Sequence, residues 1–176
     1  MQTHGAGTAA RIPLHVSDDE LVRLSEANPG WHVERESAEL VTMSPSGSQS
    51  SMRSVVAALQ LAAWGRTRGV VFGCDAGFTM PDGALLAPDA SWIASARWNE
   101  LGDAEKERYA RIVPDVVIEI VSPSDTLAEQ RRKAESWHAY GAGYVVLVDP
   151  FRCESFTYGT APAGLELDIE AIANPT

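Results

Sequence analysis

With 176 residues, 45% of them hydrophobic and 22% charged, the chain has the size and composition of one globular domain able to bury a core. No run approaches the roughly 18 consecutive apolar residues of a membrane span, and Met1 to Ala10 is small and polar, so neither an anchor nor a signal peptide is expected. The formal net charge of -10 runs against simple nucleic-acid binding, and the isolated Cys74 and Cys153 give no disulfide framework and suit a reduced, cytoplasmic setting.

Residues 1–13 read as a loose arm, 14–160 as a single domain and 161–176 as a weakly patterned tail. Ser17 followed by Asp18, Asp19 and Glu20 is a capping-box pattern. With Leu21 and Leu24 it opens a short helix ending near Asn28-Pro29-Gly30. Trp31 to Arg35 and Glu39 to Met43 predict two short strands, a hairpin. Beyond the loop Ser44-Pro45-Ser46-Gly47, a long helix spans Gln49 to Arg68, with Val55, Val56, Leu59, Ala62 and Ala63 on one face and Gly69 at its end. Val70 to Phe72 and Gly77 to Met80 are strands, and Pro81-Asp82-Gly83 is a turn. Leu85 to Ala94 carries one further strand that contains Asp89. The charged stretch 97–112 predicts a helical excursion. Asp115 to Val121 is a near-continuous apolar run, as expected of a central strand buried on both faces. Thr126-Leu-Ala-Glu129 is another capping box and opens a helix to Tyr140, closed by Gly141 and Gly143. Tyr144 to Val148 is a second buried strand, and Arg152 to Tyr158 pairs at an edge. The order predicts an α/β domain with a mixed sheet flanked by helices.

Glu119 interrupts the apolar strand Val116-Val-Ile-Glu-Ile-Val121. A carboxylate in a dry interior must be neutralised or coordinated, by an arginine, a helix cap or a metal. Asp89, after Pro88, would by itself cap a turn; beside Glu119 it makes an oxygen-rich site for a hard cation. The chain has two lysines. Lys106 lies in the charged excursion and reads as solvated. Lys133 shares a helix face with Gln130 and Trp137, which can aim it inward, although Arg131-Arg132-Lys133 also fits an exposed basic patch. His4, His15, His32 and His138 show no metal-ligand spacing, so no zinc site is expected, and there is no Gly-x-Ser-x-Gly elbow. Gly141-Ala-Gly143 follows a helix and precedes a strand, the reverse of a phosphate loop. The scattered tryptophans read as core residues.

Pro88-Asp89 opening a strand, then Pro114-Asp115-Val-Val-Ile-Glu119-Ile-Val-Ser122-Pro123-Ser124, then Lys133 with an aromatic four residues on, resembles the Uma-type restriction endonucleases of the PD-(D/E)xK nuclease superfamily. The resemblance spans Val16 to Tyr158. It implies a restriction endonuclease-like fold in which Asp89 and Glu119 bind Mg²⁺ or Mn²⁺ and Lys133 is the catalytic lysine. It also implies DNA as the substrate and a homodimer. The superfamily lysine stands two residues after the glutamate, here Val121; in this family it lies in the next helix, where Lys133 is found. Glu34 matches a family glutamate at the end of the first helical region and is expected to reach the metal shell, whereas Glu39 reads as structural. Two positions depart from the family: Trp137 stands where tyrosine is usual, and Gly47-Ser-Gln-Ser-Ser51 lacks the histidine or glutamate often found before the long helix. The implied chemistry is a metal polarising a phosphoryl oxygen, with Lys133 orienting water or stabilising developing negative charge. Two other readings stay open, a non-catalytic interaction protein on the same fold and a nuclease acting on RNA. Arg53, Arg66, Arg68, Arg131 and Arg132 would support DNA binding if they gather beside the carboxylates.

Overall fold

A computed structural model of the protein describes residues 10–13, 16–28, 32–36, 39–43 and 47–176. The expected helix end at Pro29-Gly30, the strand start at Trp31, the loop residues Ser44 to Ser46 and most of the N-terminal arm lie outside the described residues. The elements are β1 (Ala10–Pro13), α1 (Asp18–Ala27), β2 (His32–Glu36), β3 (Glu39–Met43), α2 (Ser48–Gly65), β4 (Gly69–Phe72), β5 (Phe78–Thr79) and β6 (Leu85–Leu86). They continue with β7 (Ala90–Ala94), α3 (Ser95–Trp98), α4 (Asp103–Lys106), β8 (Val116–Ile120), α5 (Leu127–Tyr140), β9 (Tyr144–Asp149), β10 (Glu154–Gly159) and α6 (Ile169–Ala173).

The α/β class is as expected, but the strands form two sheets. One, in the order β1-β3-β2-β6-β5, is antiparallel throughout. The other, β10-β9-β8-β7-β4, is mixed. Its single parallel pair, β8 with β9, is joined by α5, as a parallel crossover requires. The apolar stretch Leu85 to Ala94 is therefore two strands: β6 belongs to the first sheet and β7 to the second. Pro88 lies between them and has no N–H to continue a ladder. The turn from one sheet to the other thus falls at Ala87-Pro88-Asp89.

Local signals explain the helix ends. Ser17 accepts from the Glu20 amide while Glu20 accepts from the Ser17 amide, a complete capping box on α1. Thr126 caps α5 by accepting from the Glu129 amide. Gly141 ends that helix at φ 113°, in the left-handed region that suits glycine.

The inward face of α2 differs from expectation. Ser54, Ala57, Leu61 and Gly65 are buried, whereas Val55 and Leu59 are 54% and 62% exposed. The small residues win because the helix lies close against β7: the Trp92 indole N–H donates to the Gly65 carbonyl at 3.0 Å. Gly69 does not end the helix but begins β4. A Cβ there would sit 2.3 Å from the Ile93 carbonyl oxygen and from the Trp92 ring. Met52, Val55 and Leu59 form an exposed apolar stripe on a helix whose one charged residue, Arg53, is buried.

The stretch 97–112 holds only the four-residue α4 and the end of the equally short α3. The expected tail is partly core: Leu165, Ile172 and Ala173 are buried with α2 and the second sheet, and Arg53 Nε donates to the Ala173 carbonyl at 2.9 Å. Its apolar signal is too short to read as a helix. At the other end, residues 10–13 of the expected arm form β1 against β3. No helix among the described residues is long and apolar enough to cross a membrane.

The second sheet is covered on both faces. Val117, Val121, Ala134 and Trp137 pack on the α5 side; Val116, Ile118, Ala57 and Leu61 pack on the α2 side. Alternation along β8 puts Glu119 on the Val117 side.

Candidate functional site

β7 and β8 run antiparallel with Ala90 opposite Ile118, so Asp89 and Glu119 stand on the next rung. Asp89 is pinned at the turn between the sheets. Its Oδ1 accepts from Ser54 Oγ at 2.9 Å and its Oδ2 from the Ile120 amide at 2.8 Å. Glu119 is 2% exposed, and its Oε1 accepts from the Trp137 indole N–H at 2.6 Å. Glu34 enters from β2 in the first sheet, also buried.

Lys133 links the two sheets. Its Nζ donates to Glu34 Oε1 at 3.0 Å and to the Ala87 carbonyl at 2.9 Å, and lies 3.5 Å from Glu119 Oε1. The Ala87 amide donates to Glu34 Oε1 at 3.0 Å, so both polar groups of this residue are tied to the cluster. The exposed-patch alternative holds for Arg131 and Arg132, which are exposed, but not for Lys133, whose side chain is 15% exposed. Among the described residues Glu119 has no arginine partner; Trp137 donates to it and Lys133 stands 3.5 Å away. Gln130, earlier on α5, has its Oε1 buried with no hydrogen-bond partner among the described residues.

The electrostatics follow from the count: three carboxylates share one ammonium. Burial pushes Glu119 up to about 8; Lys133 opposes the rise, and Asp89 and Glu34 add to it. Burial also raises Asp89, against the pull of Lys133 and the Ile120 and Ser54 hydrogen bonds. For Lys133, burial favours proton loss, but Glu119, Glu34 and Asp89 outweigh it and hold the ammonium above its ordinary value. Lys133 is therefore held as a cation and donates to Glu34 and the Ala87 carbonyl.

Among the described residues, no three acidic, histidine or cysteine side chains form a ready cage for a metal ion. The donor set nevertheless fits a hard divalent cation. It offers carboxylate oxygens and more acids than Lys133 can balance once they ionise, and Glu119 Oε2 has no hydrogen bond among the described residues.

All four residues expected from the sequence, Glu34, Asp89, Glu119 and Lys133, meet at this junction. Two contributors were not expected. Ser54 sits in a polar run with nothing to mark it, and the Ala87 backbone carries no side-chain signal at all. The five arginines do not form one patch. Arg53 is turned inward to Ala173 and lies over the Phe151 ring. Arg66 and Arg68 lie beyond the far end of α2, roughly 18 Å along the helix from Ser54. Arg131 stacks on Phe156 at 4.0 Å. A groove of 560 Å³ lined by Phe72, Trp98, Lys106 and Tyr109 contains none of the clustered residues. Lys106 there lies 5.7 Å from the Trp98 ring centre, rather than free in solvent.

Comparison with solved structures finds a crystal structure titled as a putative nuclease belonging to DUF820, from Anabaena variabilis ATCC 29413. It matches with a TM-score of 0.64 and 17% identity, over 90% of this chain and 98% of that one. At that identity the likeness speaks for the fold alone. No curated protein matches the sequence. The Uma2 family model, described as "Putative restriction endonuclease", matches residues 18–168, which take in the second sheet, all of the first but β1, and all four clustered residues. That span is most of the chain, and the protein therefore belongs to the Uma2 family.

Proposed function

We propose that this protein is a Mg²⁺- or Mn²⁺-dependent endonuclease that hydrolyses phosphodiester bonds in DNA. Asp89 and Glu119 serve as metal ligands, Lys133 as the catalytic cation, and Glu34 as the residue that holds Lys133 and borders the metal. One observation carries the reading: Glu34 and Glu119 pair with a single lysine where the two sheets meet, and Asp89 stands opposite Glu119, so that buried acids outnumber the cation that faces them.

A divalent cation at Asp89 and Glu119 supplies Lewis-acid stabilisation of charge on the phosphoryl oxygens. The protein's own residues do the rest. Ser54 and the Ile120 amide keep the Asp89 carboxylate in place. Glu34 and the Ala87 carbonyl fix two of the three Lys133 donor directions and leave the ammonium to face negative charge as it develops. Because Lys133 holds its proton, it orients water or stabilises the phosphoryl oxygens without removing a proton itself.

A second reading, a non-catalytic interaction protein, is favoured by the net charge of -10 and the dispersed arginines. Incubation of plasmid, single-stranded DNA and RNA with Mn²⁺ or with EDTA separates the two. The expected result is DNA cleavage that EDTA stops and that Glu119→Ala and Lys133→Ala each reduce by at least about 100-fold. Cleavage that survives in either variant would overturn the site. RNA cleavage alone would change the substrate. No cleavage together with no Mn²⁺ binding by calorimetry would favour the interaction protein.

A further inference from the structure

The two oxygens of Glu119 have different surroundings. Oε1 accepts from the Trp137 indole N–H at 2.6 Å and lies 3.5 Å from Lys133 Nζ. Oε2 has no hydrogen bond among the described residues. Lys133 does not hold Glu119 closely, because its short contacts go to Glu34 and the Ala87 carbonyl at 3.0 and 2.9 Å. The hydrogen bond that orients this carboxylate is therefore the one from Trp137.

The chemistry of the indole suits the task. Its N–H only donates, so the oxygen that faces it must accept, and the bond fixes the plane of the carboxylate with the other oxygen turned away from the ring. The group is neutral, so it orients Glu119 without cancelling the charge that would attract a cation. A lysine or arginine in its place would compete with the metal. Trp137 is fully buried in the core beside Val117, Ala134 and Leu147, which leaves its ring no freedom to swing. Lys133 and Trp137 are one turn apart on α5, so one helix face brings both groups to the same oxygen.

We propose that Trp137 is a positioning residue for the metal site: it ties down Glu119 Oε1 and so presents Oε2 as the oxygen that ligates the cation. This rests on the metal-dependent reading above and adds to it the residue that sets the ligand's orientation. Outer partners of this kind typically contribute 10–100-fold to metal affinity.

The test is Mn²⁺ binding by calorimetry on the full chain, comparing wild type with Trp137→Phe and Trp137→His. Both variants lose the fused ring; only the histidine keeps an N–H at the same reach from Cβ as the indole. Phenylalanine is expected to weaken Mn²⁺ binding by about 10–100-fold, and histidine to recover most of that loss. Equal losses in both would assign the effect to packing and overturn the proposal, as would unchanged binding in Trp137→Phe. Wild type that binds no Mn²⁺ would remove the metal reading itself, a distinct failure. A second measurement needs no variant. In the ¹⁵N spectrum of the wild type, Mg²⁺ should shift the Trp137 indole N–H resonance more than those of the other four tryptophans. A Trp137 resonance that stays still while Mg²⁺ binds would overturn the proposal even if the variants fail to fold.

Discussion

Glu34 and Arg35 are neighbours on β2, and both are buried, yet they end in opposite surroundings. Alternation along the strand sends them to opposite faces. On one face, Arg35 is held through all three of its nitrogens: Nε donates to the Gly83 carbonyl at 2.7 Å, Nη1 to the Val16 carbonyl at 2.8 Å and Nη2 to Asp18 at 2.8 Å. Asp18 also meets Arg111 at 2.7 Å. On the other face, Glu34 joins Asp89 and Glu119 around Lys133, with acids in excess. The Arg35 side matches charge to hold α1, β2 and the turn at Gly83 together. The Glu34 side leaves charge unmatched where a hard cation would complete it. Buried charge is matched on one side and left in excess on the other, one residue apart.

That contrast can be broken from either side. The largest expected effect is structural. Arg35→Ala removes three hydrogen bonds and leaves two carbonyls short of partners, while Asp18 keeps Arg111, so urea unfolding should show a loss of about 2–4 kcal/mol. A loss below about 1 kcal/mol would mean that Arg35 does not organise this face.

Glu119→Gln should act in the opposite direction. It removes one of the excess charges while keeping an acceptor for Trp137, so in EDTA at about pH 8.5 the variant should be more stable than wild type by about 1–2 kcal/mol. It should at the same time lose Mn²⁺ binding. A variant less stable than wild type would show that the ionised carboxylate is already compensated and that the two faces of β2 are alike.

The smallest effect is on pH dependence. The Arg35 hydrogen bond, opposed by burial and helped by Arg111, holds the Asp18 carboxyl below its ordinary value of 3.8. A depressed acid contributes stability above its unfolded value, and that stability is lost as pH falls through the lower folded value. Asp18 is 38% exposed, so the contribution is screened to about 0.5 kcal/mol. Wild type and Asp18→Asn should therefore differ at neutral pH and converge in thermal unfolding as pH drops from about 5 to about 2. Curves that stay parallel throughout would separate Asp18 from the Arg35 clamp.

Much of this was legible in advance, for identifiable reasons. Glu119 stood out because a carboxylate in an apolar strand needs a partner whatever the fold. The caps at Ser17, Thr126 and Gly141 are local chemistry and lie where expected. Lys133 was ambiguous beside two arginines, since no periodicity in a run of three cations says which one turns inward. The inward face of α2 is not legible in side-chain size, because larger apolar residues suggest burial, whereas the close approach of Trp92 requires Gly65.

The sequence by itself determined the class of the fold, the apolar central strands, the helix ends and Glu119 as a carboxylate in need of a partner, because these depend on contacts a few residues apart or on the cost of burying charge; Glu34 and Lys133 were marked by the family resemblance and not by local physics. Only the tertiary structure decided that Leu85 to Ala94 divides between two sheets at Pro88, that Glu34 arrives from the first sheet while Asp89 and Glu119 arrive from the second, and that Ser54 and Trp137 hold the two acids. Those pairings join residues from 18 to 99 positions apart along the chain. Packing of whole elements sets them, and no local pattern encodes it.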